Sequence, residues 1–120
     1  MRKIILITAI LFAQLTGVSQ WVNLNTTIPG DLNEVYFTDT NNGLVVGDMG
    51  VFKTINGGTT WAPQVLSGNT IDSIAFVNTT FNTVYHHNGF WYAAGKDRVS
   101  GKGVVFKDSS SVWSLCFSVP

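Results

Sequence analysis

Two segments of this sequence end in the same way, and that repetition limits the fold more than any other feature. In the first, Gly50-Val51-Phe52-Lys53 leads to Asn56, and Trp61 stands five residues further on. In the second, Gly103-Val104-Val105-Phe106-Lys107 leads to Asp108, and Trp113 again follows at five residues. A short Asx side chain accepts hydrogen bonds from the N–H groups that follow it and so fixes a β-turn. The tryptophan then restarts a strand and carries a large apolar face to the place where neighbouring sheets meet. A unit recurring after about fifty residues has the size of one four-stranded sheet in a repeating array.

Strand-like runs fill both units. Leu32-Asn33-Glu34-Val35-Tyr36-Phe37 alternates apolar and polar residues as a half-buried strand does. Residues 38–43 form a turn rich in residues that tolerate positive φ. Leu44 to Gly47 is a β-branched run, Asp48-Met49-Gly50 turns the chain, and Val51 to Thr54 is a third strand. The second unit opens with Ile71-Asp72-Ser73-Ile74-Ala75-Phe76, an echo of 32–37, followed by a polar stretch. Val84 to His87, the hairpin signal Asn88-Gly89 and Phe90 to Gly95 come next. A loop over 96–102 leads into the strand at 103–107, and outside the leader no helical period is sustained. The expected organisation is a lead-in over 20–31, with Trp21 to Leu24 as an outer strand, a first unit over 32–66, and a second over 67–120 that includes the start of a further strand.

The first nineteen residues read as a signal peptide: Met1-Arg2-Lys3, an apolar run from Ile4 to Leu15, then the small residues Gly17-Val18-Ser19. The run is too short for a membrane-spanning helix, which needs about twenty apolar residues. The expected location is therefore the periplasm, the cell surface or the medium, with no membrane span once the leader is removed. Without Arg2 and Lys3 the chain keeps five basic residues, Lys53, Lys96, Arg98, Lys102 and Lys107, against seven acidic ones. That balance leaves no basic stripe for a nucleic-acid backbone. Charged residues make up only 12% and hydrophobic ones 45%, with four Trp, eight Phe and three Tyr, which excludes a disordered chain. Cys116 is the single cysteine, so no internal disulfide staples the fold, and it is expected as a small buried hydrophobe.

Thr54-Ile55-Asn56-Gly57-Gly58-Thr59-Thr60-Trp61 resembles an Asp-box, the BNR motif S-x-D-x-G-x-T-W. Thr54 takes the place of the Ser and Asn56 of the Asp, while Gly58, Thr60 and Trp61 match outright. The second unit keeps Asp108 and Trp113 of the box and has Ser110 in place of its Gly. Upstream of the first box, the run from Leu32 through Asn42-Gly43, Val46-Gly47 and Gly50 resembles the blades of photosystem II stability/assembly factor-like propellers. Exported bacterial proteins use such blades widely, usually with no photosynthetic role. The resemblance covers residues 32–113. It implies an all-β fold, a partial β-propeller of about two four-stranded antiparallel blades after a signal peptide. It also implies that the box residues are structural, since the box lies on the blade edge, away from the central channel. A propeller ring takes about four to eight blades. The chain is accordingly expected to be the N-terminal part of a longer propeller, or else to complete a ring from several copies. Open blade faces would permit self-association.

Function is weighed against the same residues. A sialidase-like glycoside hydrolase grips a carboxylate with several arginines, whereas the mature chain has Arg98 alone. His86-His87 cannot share one metal ion on a strand, because adjacent residues point to opposite faces. Tyr85, Trp91 and Tyr92 could stack on a sugar, although aromatic residues packed between blades serve equally as core. No catalytic residue, metal ligand or cofactor is assigned. The expected function is a non-catalytic exported module that binds or scaffolds an extracellular protein or glycan.

Overall fold

The computed structural model of the chain describes Asn23 and residues 27–66, 75–109 and 112–118. The expected leader lies outside these residues, as do Trp21, Val22 and Leu24 of the expected lead-in strand, and Asn23 is not in a strand. The described chain forms two four-stranded antiparallel sheets, each a meander of sequential strands. Sheet A comprises β1 (Leu32–Phe37), β2 (Gly43–Gly47), β3 (Gly50–Thr54) and β4 (Ala62–Pro63). Sheet B comprises β5 (Thr79–His87), β6 (Phe90–Asp97), β7 (Gly103–Ser109) and β8 (Val112–Ser118).

Local chemistry explains three of the reversals. Asn88 at φ 50° and Gly89 at φ 80° make the β5–β6 turn, where two successive positive φ values match the twist of the strands they join. Asp39 accepts from the N–H groups of Asn41 and Asn42 at 2.7 and 2.8 Å, folding the β1–β2 loop. Asp97 does the same between β6 and β7, accepting from Val99 N at 3.0 Å and from the Ser100 hydroxyl at 2.6 Å.

The two sheets share a register that runs deeper than the Asx–Trp repeat. Leu32 pairs with Gly47 and Glu34 with Val46, which leaves Asn33 as the extra residue of a bulge in β1. Phe81 pairs with Gly95 and Thr83 with Ala94, which leaves Asn82 as the extra residue of a bulge in β5. Beyond the bulges, Val35-Tyr36 matches Val84-Tyr85. The partner glycines match too: a Cβ on Gly47 would lie 2.1 Å from the Asp31 carbonyl oxygen, and one on Gly95 would lie 2.1 Å from that of Thr80. Only glycine admits so close an approach of two backbones.

The register therefore matches Asn33-Glu34-Val35-Tyr36 with Asn82-Thr83-Val84-Tyr85. Residues 71–74 lie outside the described chain, and Ala75 to Val77 are helical where a strand end was expected. The helical segment drives Phe76 beneath sheet B, where its ring centroid lies 5.1 Å from that of Phe81, 5.0 Å from Phe106 and 5.8 Å from Trp113. Thr79 returns a hydroxyl hydrogen bond to the Ala75 carbonyl at 2.7 Å and starts β5 where a polar loop was expected.

Sheet A lays one side on sheet B. Leu44, Val46 and Val51 from sheet A join Phe81, Val84, Trp91, Ala93, Val104, Phe106 and Trp113 from sheet B in one buried cluster. Burying each large apolar side chain contributes about 1.5–3 kcal/mol. Two polar contacts fix the angle of the sheets at their first strands. Asn33 Nδ2 donates to the Phe81 carbonyl at 2.8 Å, and Val84 N donates to Glu34 Oε2 at 2.6 Å.

Each sheet also has a side turned away from the other. Cross-strand partners share a side, so sheet A turns Val35, Val45, Phe37 and Phe52 away from sheet B, with Val45 and Phe52 buried there, and sheet B turns outward Tyr85, Tyr92, Lys107, Val105 and Phe117. Cys116 is exposed, contrary to the expectation of burial. Phe106 pairs with Leu115 and Val105 with Phe117, so a bulge takes Cys116 out of the alternation that would have aimed it at the core.

Candidate functional site

The segment resembling a box closes sheet A between β3 and β4 with a dense hydrogen-bond network. The Thr54 hydroxyl, buried at the end of β3, donates to Asn56 Oδ1 at 3.0 Å and accepts from Gly58 N at 2.8 Å. Asn56 Oδ1 also accepts from Thr60 N at 2.9 Å, while its Nδ2 donates to the Thr60 hydroxyl at 2.8 Å. Gly57 and Gly58 take φ values of 67° and 88°, the left-handed region that the turn requires. Gly57 N reaches across to the Asn41 carbonyl at 2.9 Å, tying the turn to the Asp39 loop. Trp61 then meets Phe37 edge to face at 6.0 Å on the outward side of sheet A.

The matching turn of sheet B is built otherwise. Asp108 is a strand residue directly opposite Trp113, one step after Lys107 as Thr54 is one step after Lys53. It therefore occupies the position of Thr54 and not that of Asn56, and the equal five-residue spacings do not align in space. Asp108 is buried and its Oδ1 has no hydrogen-bond partner, as is also true of Trp113 Nε1. Ser110, expected in the Gly position, lies outside the described residues.

The aromatic residues singled out for ligand contact divide between the two sides of sheet B. Trp91 is buried among the core, with Tyr36 at 5.9 Å and His86 at 4.7 Å. Tyr85 is 56% exposed on the opposite side. His87 stacks on it at 6.2 Å and 15° between planes. Phe90 and Tyr92 are half-buried on that same outward side, and Lys107 Nζ lies 3.8 Å from the Phe90 centroid and 5.7 Å from that of Tyr92. Core packing thus accounts for Trp91, while Tyr85, more than half exposed, still meets Tyr36 of sheet A edge to face at 6.1 Å. The sheet brings Tyr85 and Tyr92 together as cross-strand partners. His87 and Lys107 were missed as members of this surface, although strand alternation read across the Asn88-Gly89 turn places His87 beside Tyr85.

Sheet B also bears a shallow recess of about 490 Å³ near the β6–β7 loop, lined by Thr80, Asn82, Lys96, Asp97, Arg98 and Gly101. Arg98 is spent on the fold there, donating from Nε to the Asn78 carbonyl at 2.9 Å and from Nη2 to that of Val77 at 3.0 Å. Asp97 is held below the usual carboxylate range, chiefly by the Ser100 hydroxyl and then by Val99 N. Glu34 at the sheet junction is likewise lowered, by the Thr83 side chain first and Val84 N second. Among the described residues, no three or more His, Cys, Asp or Glu side chains gather as a metal site would require. Nor is any helix among them long and apolar enough to cross a membrane.

No family model matches the sequence. No curated protein matches it either. Among solved structures the chain is similar to "YCF48 bound to D1 peptide", with a TM-score of 0.59 and 22% identity. The likeness covers 82% of this chain and 29% of that one, so the chain spans under half the length of the protein it matches. Two four-stranded antiparallel meanders packed side on side, in the arrangement of that protein, make this fold an all-β partial propeller.

Proposed function

We propose that this chain is an exported, non-catalytic propeller module that binds a protein through the outward side of sheet B. The observation that carries the reading is the aromatic surface of Tyr85, His87, Phe90 and Tyr92 with the Lys107 ammonium set into it. Large rings with polar tips beside a cation suit a protein interface, where aromatic residues and cations are the usual anchors. A protein fits better than a glycan because Lys107 sits on the ring face of Phe90 that a sugar would need. The peptide held by the similar solved structure supports the same ligand class. The segment from Thr54 to Trp61 is read as an Asp-box with Asn in the Asp position, a structural element. The non-catalytic reading is supported by Arg98, whose guanidinium is committed to two backbone carbonyls. Export rests on the leader-like residues 1–19 and is checked by finding a mature form that begins near Gln20 outside the cytoplasm.

Panning of a displayed peptide library on the chain, run beside a glycan array, tests the binding reading. Enriched peptides whose capture is lost in Tyr92→Ser are the expected result. Glycan capture lost in the same variant would replace a protein ligand by a sugar. Capture of neither kind that depends on Tyr92 would sink the surface as a binding site.

A further inference from the structure

The shared register of the two sheets says which sides correspond. Tyr36, Leu44 and Lys53 lie in one cross-strand row of sheet A, and Tyr85, Tyr92 and Lys107 form the matching row of sheet B. The first row lies on the core side of sheet A and the second on the outward side of sheet B, with Tyr36 and Tyr85 meeting edge to face at 6.1 Å where the two rows come together. Conversely, Leu32, Val45 and Phe52 on the outward side of sheet A match Phe81, Ala93 and Phe106 on the core side of sheet B. On the outward side of sheet A the central Val45 and Phe52 are buried, at 4% and 9% exposed, and the open positions are Leu32, Val35 and Phe37 along β1. Leu44 is 1% exposed under sheet B, while its match Tyr92 is half-buried. Phe81 is 0% exposed under sheet A, while its match Leu32 is 45% exposed.

The molecule therefore carries, on its two flanks, the two halves of an interface that it already makes once inside itself. We infer that the outward side of sheet B receives the outward side of sheet A from a second copy of this chain, which repeats the internal contact head to tail. The inference rests on reading the sheet B surface as a protein-binding one, and names a copy of the chain as the partner. Continuity with the internal interface is the reason for choosing a copy. Sheet A offers the same elements that the sheet B surface is shaped to meet: a bulged first strand, an aromatic third strand, and a Trp at the turn that follows.

The correspondence extends to a polar contact. Asn33, the bulge residue of β1, donates to the Phe81 carbonyl of the sheet below it. Asn82, the bulge residue of β5, is exposed and stands where Asn33 stands in the repeat. Its counterpart acceptor is the Leu32 carbonyl of the second copy. A head-to-tail contact of this kind does not satisfy itself in a pair; it continues until a ring closes. With two sheets per copy, a ring of about four to eight blades takes about two to four copies.

The test uses the full chain, expressed with its leader, and two single variants at exposed positions. Val35→Glu spoils the sheet A flank, and Phe117→Glu spoils the sheet B flank; both side chains are more than half exposed, and thermal melts establish that each variant folds. Light scattering over a hundredfold range of concentration should show a closed species of about two to four copies for the wild type. Each variant alone should be monomeric. Mixed in equal amounts they should form a dimer, because each still carries one intact flank of opposite kind. Asn82→Ala should weaken assembly about fivefold, the loss of one hydrogen bond. A monomeric wild type that still captures Tyr92-dependent peptides would overturn the copy as partner and leave the binding reading standing. A monomer that captures nothing would remove both. A dimer formed by Val35→Glu on its own would show sheet B pairing with sheet B, and would equally overturn the head-to-tail arrangement.

Discussion

Sheet A and sheet B begin alike and finish differently. Their first two strands share a bulge at Asn33 and Asn82, a Val-Tyr pair after it, and a glycine opposite whose missing side chain lets the preceding strand close in. Their last turns share only a buried residue after lysine and a tryptophan. In sheet A that residue is Thr54, whose hydroxyl both donates and accepts within the turn. In sheet B it is Asp108, with one carboxylate oxygen left without a partner. Sheet A therefore holds its outer strand by hydrogen bonds, since β4 has only two residues and lies exposed. Sheet B holds its outer strand by length and burial, with seven residues in β8 and Trp113 1% exposed. Two solutions to one problem, anchoring the fourth strand, stand side by side in one molecule.

Removing the anchor of sheet B should cost most. Trp113→Ala empties a fully buried site and is expected to destabilise the chain by about 3–5 kcal/mol, against about half of that for the half-buried Trp61→Ala. Urea unfolding of both variants decides it, and equal losses would show that burial does not separate the two turns. The shared beginning is tested next by Gly47→Ala and Gly95→Ala. Each forces a methyl group onto a backbone carbonyl oxygen that cannot yield as a side chain would, at about 1–3 kcal/mol. A tolerated change at one site but not the other would break the equivalence of the first strands.

The turns themselves should respond with opposite signs. Thr54→Val leaves Gly58 N and Asn56 Oδ1 without the hydroxyl they share, a loss of about 1–3 kcal/mol. Asp108→Thr places the sheet A residue in sheet B, removes a buried oxygen that has no partner, and adds a β-branched residue to a strand. A gain of about 1 kcal/mol is expected, and a loss would mean that the carboxylate is satisfied in solution. The smallest effect belongs to the junction between the sheets. Glu34 has its pKa lowered from the ordinary 4.5 by the Thr83 side chain and by Val84 N. Its contribution is thus complete above that ordinary value and fades as pH falls through the lowered one. Melting temperatures of wild type and Glu34→Gln should differ above pH 5 or so and converge as the pH falls below the lowered pKa. A difference that persisted at low pH would assign the effect to packing and not to charge.

Much of the fold was legible in the residues, and the errors have particular causes. The strands of sheet A could be read because polar turn residues separate its apolar runs cleanly. The start of sheet B is harder to read, because Ile71 to Phe76 alternates as a strand does, yet Phe76 sits in a helical segment and plugs the underside of the sheet, whose first strand begins at Thr79. Propensity over six residues cannot register three aromatic neighbours that arrive from 81, 106 and 113. The outward aromatic surface was half visible. Alternation separates Trp91 from Tyr92, but which side lies open depends on where sheet A packs.

Sequence by itself determined the strands, the turns that join them and the repeat of about fifty residues, because period, glycine placement and Asx chemistry act over a few neighbouring residues. It also set the pattern of two residue types, apolar and polar, on each strand. Only the tertiary structure decided which of two nearly equivalent sides became core. Leu44 and Tyr92 occupy matching places in matching sheets, and one is buried while the other is half open to solvent because a sheet covers the first and none of the described residues covers the second in the same way. Burial is a property of the neighbour as much as of the residue, and the neighbour is assigned by packing across the whole chain.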